Sequence, residues 1–221
     1  MITTAKIISY DGKQLVVAPD DLITRELLQK QIGNIELRLN DGRTITADQR
    51  KKVFAIIRDI SFWSGHDPEY IRRLLTWDFR SIDGKPDFSL SDVDMSTARD
   101  FITYLIDFCF LHDIPTRDTL LNRTDDISKY LYLCLERRKC AICNRPAEVH
   151  HVNRIGMGRD REHVVHVGLL AMALCREHHT MAHTDEKRLF EANHIYGIKL
   201  DKYLCKILNL NTEPRRIINA Q

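Results

Sequence analysis

Between Cys140 and His183 the chain gathers three of its six cysteines and seven of its ten histidines, and no other feature limits the possible folds as tightly. The order is Cys140-Ala-Ile-Cys143, then Glu148-Val-His150-His151, then Cys175-Arg-Glu-His178-His179 and finally His183. A CxxC followed about thirty residues later by a CxxH is spaced to close a tetrahedral site from two short turns. Thiolate and imidazole donors suit zinc, and a closed four-ligand site staples loops too small to build a core of their own. Cys140, Cys143, Cys175 and His178 are therefore the expected ligands of a structural Zn²⁺. The competing reading is two unrelated pairs.

That set leaves His150, His151, His179 and His183 unused, more than a structural knuckle needs. On a helix wheel of about 100° per residue, with Cys175 at zero, His178 falls near −60° while His179 and His183 fall near +40° and +80°. One helix can thus turn Cys175 and His178 toward the zinc and His179 and His183 toward something beside it. His150 and His151 lie in a strand-like stretch, 147–152, where adjacent side chains point to opposite faces. The two imidazoles are expected to differ in role, one ligating a metal while its neighbour faces a substrate. A phosphodiesterase with one catalytic cation needs both: a divalent ion against the growing negative charge, and a neutral imidazole to take the proton of the attacking water. Histidine donors favour Mn²⁺, Ni²⁺, Co²⁺ or Zn²⁺, and Mg²⁺ fits where oxygens complete the shell.

Bulk properties exclude little. With 43% hydrophobic and 29% charged residues over 221 positions, the composition is that of an ordinary folded protein, long enough for two small domains. A formal net charge of +2 does not announce a nucleic-acid partner, so DNA binding must rest on local clusters. There is no apolar run of membrane-spanning length and no secretory layout at the N-terminus, and the expected location is cytoplasmic. Cys109, Cys134 and Cys205 sit in apolar helical stretches and are expected as buried small hydrophobes.

Along the chain, 5–10 reads as a strand, Asp11-Gly12 as a turn and 15–18 as the returning strand. Asp20 or Asp21 caps an expected helix to Gln31, and 34–39 alternates again before Asp41-Gly42. A helix begins at Thr46, with Val53, Ile56, Ile57, Ile60 and Trp63 on its apolar face, and ends at Gly65. A second runs from Pro68 to Phe79, and a third from a Ser96 cap to about His112. Ile114 to Asp118 punctuates the pattern, which places a domain boundary there or at Asn122 to Asp126; the first gives domains at 1–118 and 119–221. A helix from Ile127 to Arg137 leads into Cys140, and another is expected between Leu200 and Leu210.

Cys140-x-x-Cys143, Glu148-Val-His150-His151, Gly156-Met-Gly158, and Leu174-Cys175-Arg-Glu-His178-His179 with His183 resemble an HNH endonuclease in its zinc-stapled ββα-metal form, over about 136–186. The resemblance implies His151 as general base, His150 as metal ligand, and His179 or His183 as the other ligand of the catalytic cation. It departs from the family at 170–175, Leu-Ala-Met-Ala-Leu-Cys, which lacks the family's middle asparagine; either His166 or Asn153 takes over its loop-fixing role, or the role is absent. Arg137, Arg138, Lys139, Arg154, Arg159 and Arg161 surround the cluster as candidate phosphate contacts.

Residues 1–114 resemble, on fewer positions, the lambda-type Orf recombination mediator, a phage protein that binds single-stranded DNA as a dimer. That resemblance implies Arg50, Lys51 and Lys52 as phosphate contacts, Phe62, Trp63 or Tyr70 as base-stacking groups, a homodimer, and a single-strand-binding protein as a further partner. The fold class expected is α+β, an Orf-like domain followed by a small zinc-bound HNH domain. The expected function is metal-dependent cleavage of single-stranded or branched DNA in phage recombination or replication. The alternative is a non-catalytic, zinc-stabilised DNA-binding recombination mediator.

Overall fold

The computed structural model describes residues 5–19, 42–83, 87–152 and 164–213. The helix expected up to Gln31 and the strand expected over 34–39 lie outside them. So do Asn153, Arg154, Gly156, Met157, Gly158, Arg159, Arg161 and His163. The secondary structure is mixed α and β, with a two-stranded and a three-stranded sheet among the described residues.

Strands β1 (Ala5–Tyr10) and β2 (Leu15–Pro19) pair antiparallel, as their alternation predicts. Asp11 makes the turn: its carboxylate accepts from the backbone N–H of Lys13 at 2.9 Å and of Gln14 at 2.7 Å.

Helix α1 (Ala47–Ser64) starts on a capping box. The Thr46 hydroxyl accepts from Gln49 N and the Gln49 side chain accepts from Thr46 N, both at 3.0 Å, which satisfies two otherwise unpaired donors. It ends at Gly65, whose φ of 73° is a left-handed cap that any side chain would strain. Val53, Ile56, Ile57 and Ile60 are buried as expected. Trp63 is not: it is 47% exposed, with the His112 ring 6.4 Å from its own.

Helices α2 (Pro68–Asp83) and α3 (Met95–Leu111) pack against α1. The α3 cap is Asp94, not Ser96; its carboxylate accepts from Ser96 N at 3.1 Å and Thr97 N at 2.9 Å. An aspartate directly before the helix reaches the free amide donors of its first turn and carries a charge that favours the helix N-terminus.

A short 3₁₀ turn (Leu120–Arg123) leads to α4 (Ile127–Glu136), capped by Asp126. Then come β3 (Glu148–His151), β4 (Leu170–Leu174), α5 (Arg176–Asn193), β5 (Ile198–Lys199) and α6 (Lys202–Ile207). Strand β3 pairs antiparallel with β4, which pairs antiparallel with β5, so β4 is the central strand. Gly197 lets β5 approach: a Cβ there would lie 2.9 Å from a Val152 methyl and 3.1 Å from Leu170 Cβ.

Buried apolar residues form one cluster from Ile45 to Leu208 that passes straight across position 118. Phe110 of α3 meets Tyr130 of α4 at 6.1 Å between rings, and Asp59 of α1 pairs with Arg123 of the 3₁₀ turn at 2.5 Å. Cys109, Cys134 and Cys205 are buried in this core as free thiols.

Candidate metal centres and nuclease site

The first cluster is built by a tight loop after α4. Cys140 N donates to Arg145 O at 2.7 Å and Asn144 N to Cys140 O at 2.9 Å, with Asn144 in the left-handed region at φ 61°. Asn144 also ties the loop to its support. Its side-chain oxygen accepts from Leu120 N at 2.8 Å and its amide donates to the Tyr130 hydroxyl at 2.8 Å, which donates to Ala141 O at 2.9 Å. Cys175 is the N-cap of α5, so His178 follows in its first turn.

These elements gather Cys140, Cys143, Cys175 and His178 with donor atoms within 4.8 Å of one another. Cys143 and Cys175 sulfurs stand 3.6 Å apart, and His178 Nδ1 lies 3.4 Å from Cys140 Sγ and 3.2 Å from Cys175 Sγ. A disulfide requires about 2.05 Å. The edges of a tetrahedron with zinc–ligand bonds of about 2.0–2.3 Å are about 3.5–3.8 Å, close to the spacing seen. Burial pushes the Cys140 thiol up to about 12, so a thiolate there needs a cation beside it. Burial is the largest single influence on Cys143 and raises it, but hydrogen bonds from the Arg145 guanidinium, 3.2 Å from its sulfur, from the Arg145 backbone and from the Cys140 and Cys175 thiols together hold it below its ordinary value. Burial lowers His178 and keeps its imidazole neutral, the ligating form. The donor set fits structural zinc.

The second cluster lies on the next stretch of α5. His150, His179 and His183 bring ring nitrogens within 4.8 Å of one another. Ring centroids are 4.9 Å apart for His150 and His179, 5.2 Å for His150 and His183, and 4.8 Å for His179 and His183. Strand alternation on β3 puts Glu148 and His150 on the face toward α5, where Glu148 Oε2 lies 3.2 Å from His179 Nδ1. His150 is 3% exposed; its Nε2 lies 2.7 Å from Glu186 Oε2, and its buried Nδ1 has no hydrogen-bond partner among the described residues. A buried, partnerless ring nitrogen beside two more imidazoles is what a cation would satisfy, so this set fits one too. Burial is also the main cause lowering His179.

His151 points the other way. Its Nε2 is 2.9 Å from Nδ1 of His166, a buried residue whose backbone N–H donates to Asn211 O at 2.9 Å. Burial first, and then the imidazoles of His166, His150 and His179, pull His151 down to about 4. His166, one of the two residues the sequence offers in place of the family's asparagine, stands beside His151, and the other, Asn153, lies outside the described residues.

The basic residues are less free than their sequence suggests. Arg50 donates to the Leu90 and Ser91 carbonyls at 2.9 Å each, and Lys52 lies 2.9 Å from Asp48 and 3.3 Å from Asp125. Arg137 pairs with Asp107 at 2.6 Å, Arg138 donates to Leu208 O at 3.1 Å, and Lys139 pairs with Asp113. Lys51 is exposed. Phe62, Trp63 and Tyr70 are exposed, with Arg117 lying 5.6 Å over the Phe62 ring.

Three contributors escape a reading of ligand spacings: Glu186, Arg145 and Asn144. Glu186 follows a break in the helix at Asp185, so helical spacing from His179 and His183 does not point to it. Arg145 and Asn144 directly follow the CxxC, where a turn needs a left-handed residue and thiolates attract a cation.

No helix among the described residues is long and apolar enough to cross a membrane. No curated protein and no solved structure matches the chain. The family described as "Putative HNHc nuclease" matches residues 19–211, which takes in both clusters, the helices before them and the position expected as a domain boundary. The chain belongs to the HNHc nuclease family.

Proposed function

We propose that this protein is a metal-dependent DNA endonuclease that hydrolyses phosphodiester bonds with His151 as general base. One observation carries the reading: the neighbouring imidazoles part, His150 joining His179 and His183 while His151 turns to His166. His150, His179 and His183 would hold one divalent cation, Mn²⁺ or Ni²⁺ by donor type, or Mg²⁺ with oxygens completing its shell. Bound there, the ion supplies positive charge against the charge that grows on the phosphate and the leaving oxygen. His151 takes the proton of the attacking water. In the tautomer whose Nε2–H donates to His166 Nδ1, the lone pair of His151 sits on Nδ1, the nitrogen that would accept the proton. Cys140, Cys143, Cys175 and His178, holding zinc, fix the start of α5 and so the places of His179 and His183.

The setting in phage recombination or replication, the single-stranded or branched substrate, the homodimer and a single-strand-binding partner rest on the Orf-like resemblance of the N-terminal region. Of the proposed phosphate contacts there, Lys51 is the exposed one; Arg50 and Lys52 would have to leave their internal partners to reach DNA. Arg154 and Arg159 follow the His150-His151 pair closely in sequence and are proposed to contact the backbone of the bound strand.

The test is cleavage of single-stranded, duplex and branched DNA by the full chain with Mg²⁺, Mn²⁺ or Ni²⁺, beside His151→Ala. Wild type is expected to cut, and the variant to lose about 10²–10⁴-fold in rate while keeping its zinc and DNA affinity. Absence of cutting on every DNA form with every ion would instead make the protein a zinc-stabilised DNA-binding mediator.

A further inference from the structure

Helix α5 is two helices joined at Asp185, whose φ of −152° and ψ of 81° leave the helical region. Asp185 restarts the helix as a cap, its carboxylate accepting from Arg188 N at 3.0 Å. Glu186 is therefore the first residue of a fresh helical turn, directly after His179 and His183 have been presented. Its side chain is about one-third exposed and reaches across to the 3%-exposed His150, with 2.7 Å between Oε2 and Nε2. The donor set gathered within 4.8 Å consists of the three imidazoles without this carboxylate.

A glutamate carboxylate accepts, so the hydrogen of that contact belongs to His150 Nε2. The ring is then the tautomer whose lone pair sits on Nδ1, the buried nitrogen with no partner among the described residues. We propose that Glu186 is a positioning residue: it fixes His150 as the Nε2–H tautomer and so makes Nδ1 the nitrogen offered to a divalent cation. The inference rests on the cation site proposed above and adds the residue that sets its affinity and ligand atom. His179 has the complementary arrangement, its Nδ1 facing Glu148, so its Nε2 is the nitrogen left for the ion. A metal-bound imidazole whose other nitrogen donates to a carboxylate has a fixed orientation and a more basic donor atom.

The experiment uses the full chain with zinc in its cysteine site and titrates Co²⁺ into the histidine site, followed by visible absorbance and by calorimetry. Glu186→Ala is expected to weaken Co²⁺ binding about 10–100-fold. Glu186→Gln, whose amide oxygen still accepts from Nε2–H, is expected to recover most of it. Both should keep the wild-type zinc content and melting temperature. In the Co²⁺-free protein, ¹⁵N NMR of the His150 ring should show the Nε2–H tautomer in wild type and a mixture in Glu186→Ala. Wild type binding Co²⁺ while Glu186→Ala binds within twofold of it, or a His150 ring carrying its hydrogen on Nδ1, would overturn the positioning role and leave the cation site standing. A glutamine variant as weak as the alanine one would overturn it too, because charge or direct ligation would then be the cause. Wild type failing to bind Co²⁺ at all would remove the cation site and this inference with it.

Discussion

His151 Nε2 lies 2.9 Å from His166 Nδ1, so a residue of the first strand of the hairpin is held by one just ahead of the second. His166 is itself held, 8% exposed and with its backbone N–H on Asn211. The C-terminal segment thereby reaches the candidate base through one intermediary. If His151 is the general base, His166 keeps its ring in one orientation and one tautomer.

His166→Ala is therefore expected to lower kcat for DNA cleavage about 10–100-fold, the range for losing a partner that orients a reacting imidazole. KM and Co²⁺ affinity should hold, because His150, His179 and His183 lie on the opposite side of β3. His166→Asn, whose side-chain oxygen can accept from His151 Nε2–H, should recover part of the loss. A drop in metal affinity equal to the drop in kcat would show that His166 acts on the cation site instead.

The four-ligand cluster leads to a prediction on stability. Purified protein should carry about one tightly held zinc per chain. Cys140→Ser should lose it, while His183→Ala should keep it, since the two clusters share no ligand. The loop at 138–147 also leans on Tyr130 and Leu120 through Asn144, so the protein should not unfold outright without metal. If zinc contributes roughly 5 kcal/mol here, less than a closed site gives a zinc-finger peptide, its removal lowers Tm by roughly 10–20 °C at 2–4 °C per kcal/mol. Thermal melts with and without a chelator check this, and an unchanged Tm in metal-free protein would deny the cluster its structural role.

Where a local signal sufficed, these features were legible before the fold was known. The β1–β2 hairpin follows from alternation about Asp11-Gly12, and α1 from its Thr46–Gln49 box and Gly65. Both clusters follow from the order and spacing of cysteines and histidines, with His178, His179 and His183 divided between two faces of one helix. What escaped depended on neighbours. Strand β4, Leu-Ala-Met-Ala-Leu, is central and largely buried, so it shows no polar alternation to mark it as a strand. Trp63 keeps the helical period of a buried stripe, yet it is half exposed, with the His112 ring 6.4 Å from its own. Arg50 and Lys52 look like a free basic run, but partners 40 and 73 residues away occupy them. The break at Asp185 has no glycine or proline to announce it, and Glu186 carries none of the sulfur or imidazole donors by which the clusters are found.

Asp59 and Arg123 bear on whether the chain divides near residue 118. Asp59 is 4% exposed and Arg123 7%, and Asp59 also accepts from Arg117 N at 3.1 Å, so the carboxylate joins α1 to the segment beyond the expected boundary. Removing one member of a buried pair leaves an uncompensated charge, at a cost of about 3–5 kcal/mol. Arg123→Ala should therefore lower Tm by roughly 6–20 °C at 2–4 °C per kcal/mol. Replacing both, as Asp59→Leu with Arg123→Met, should bring stability back near wild type, because an apolar pair of similar volume avoids the desolvation of two ions. The apolar cluster is continuous from Ile45 to Leu208, so calorimetry should show a single cooperative transition that shifts as a whole. Two transitions, only one of them moved by Arg123→Ala, would mean that the regions before and after residue 118 fold independently.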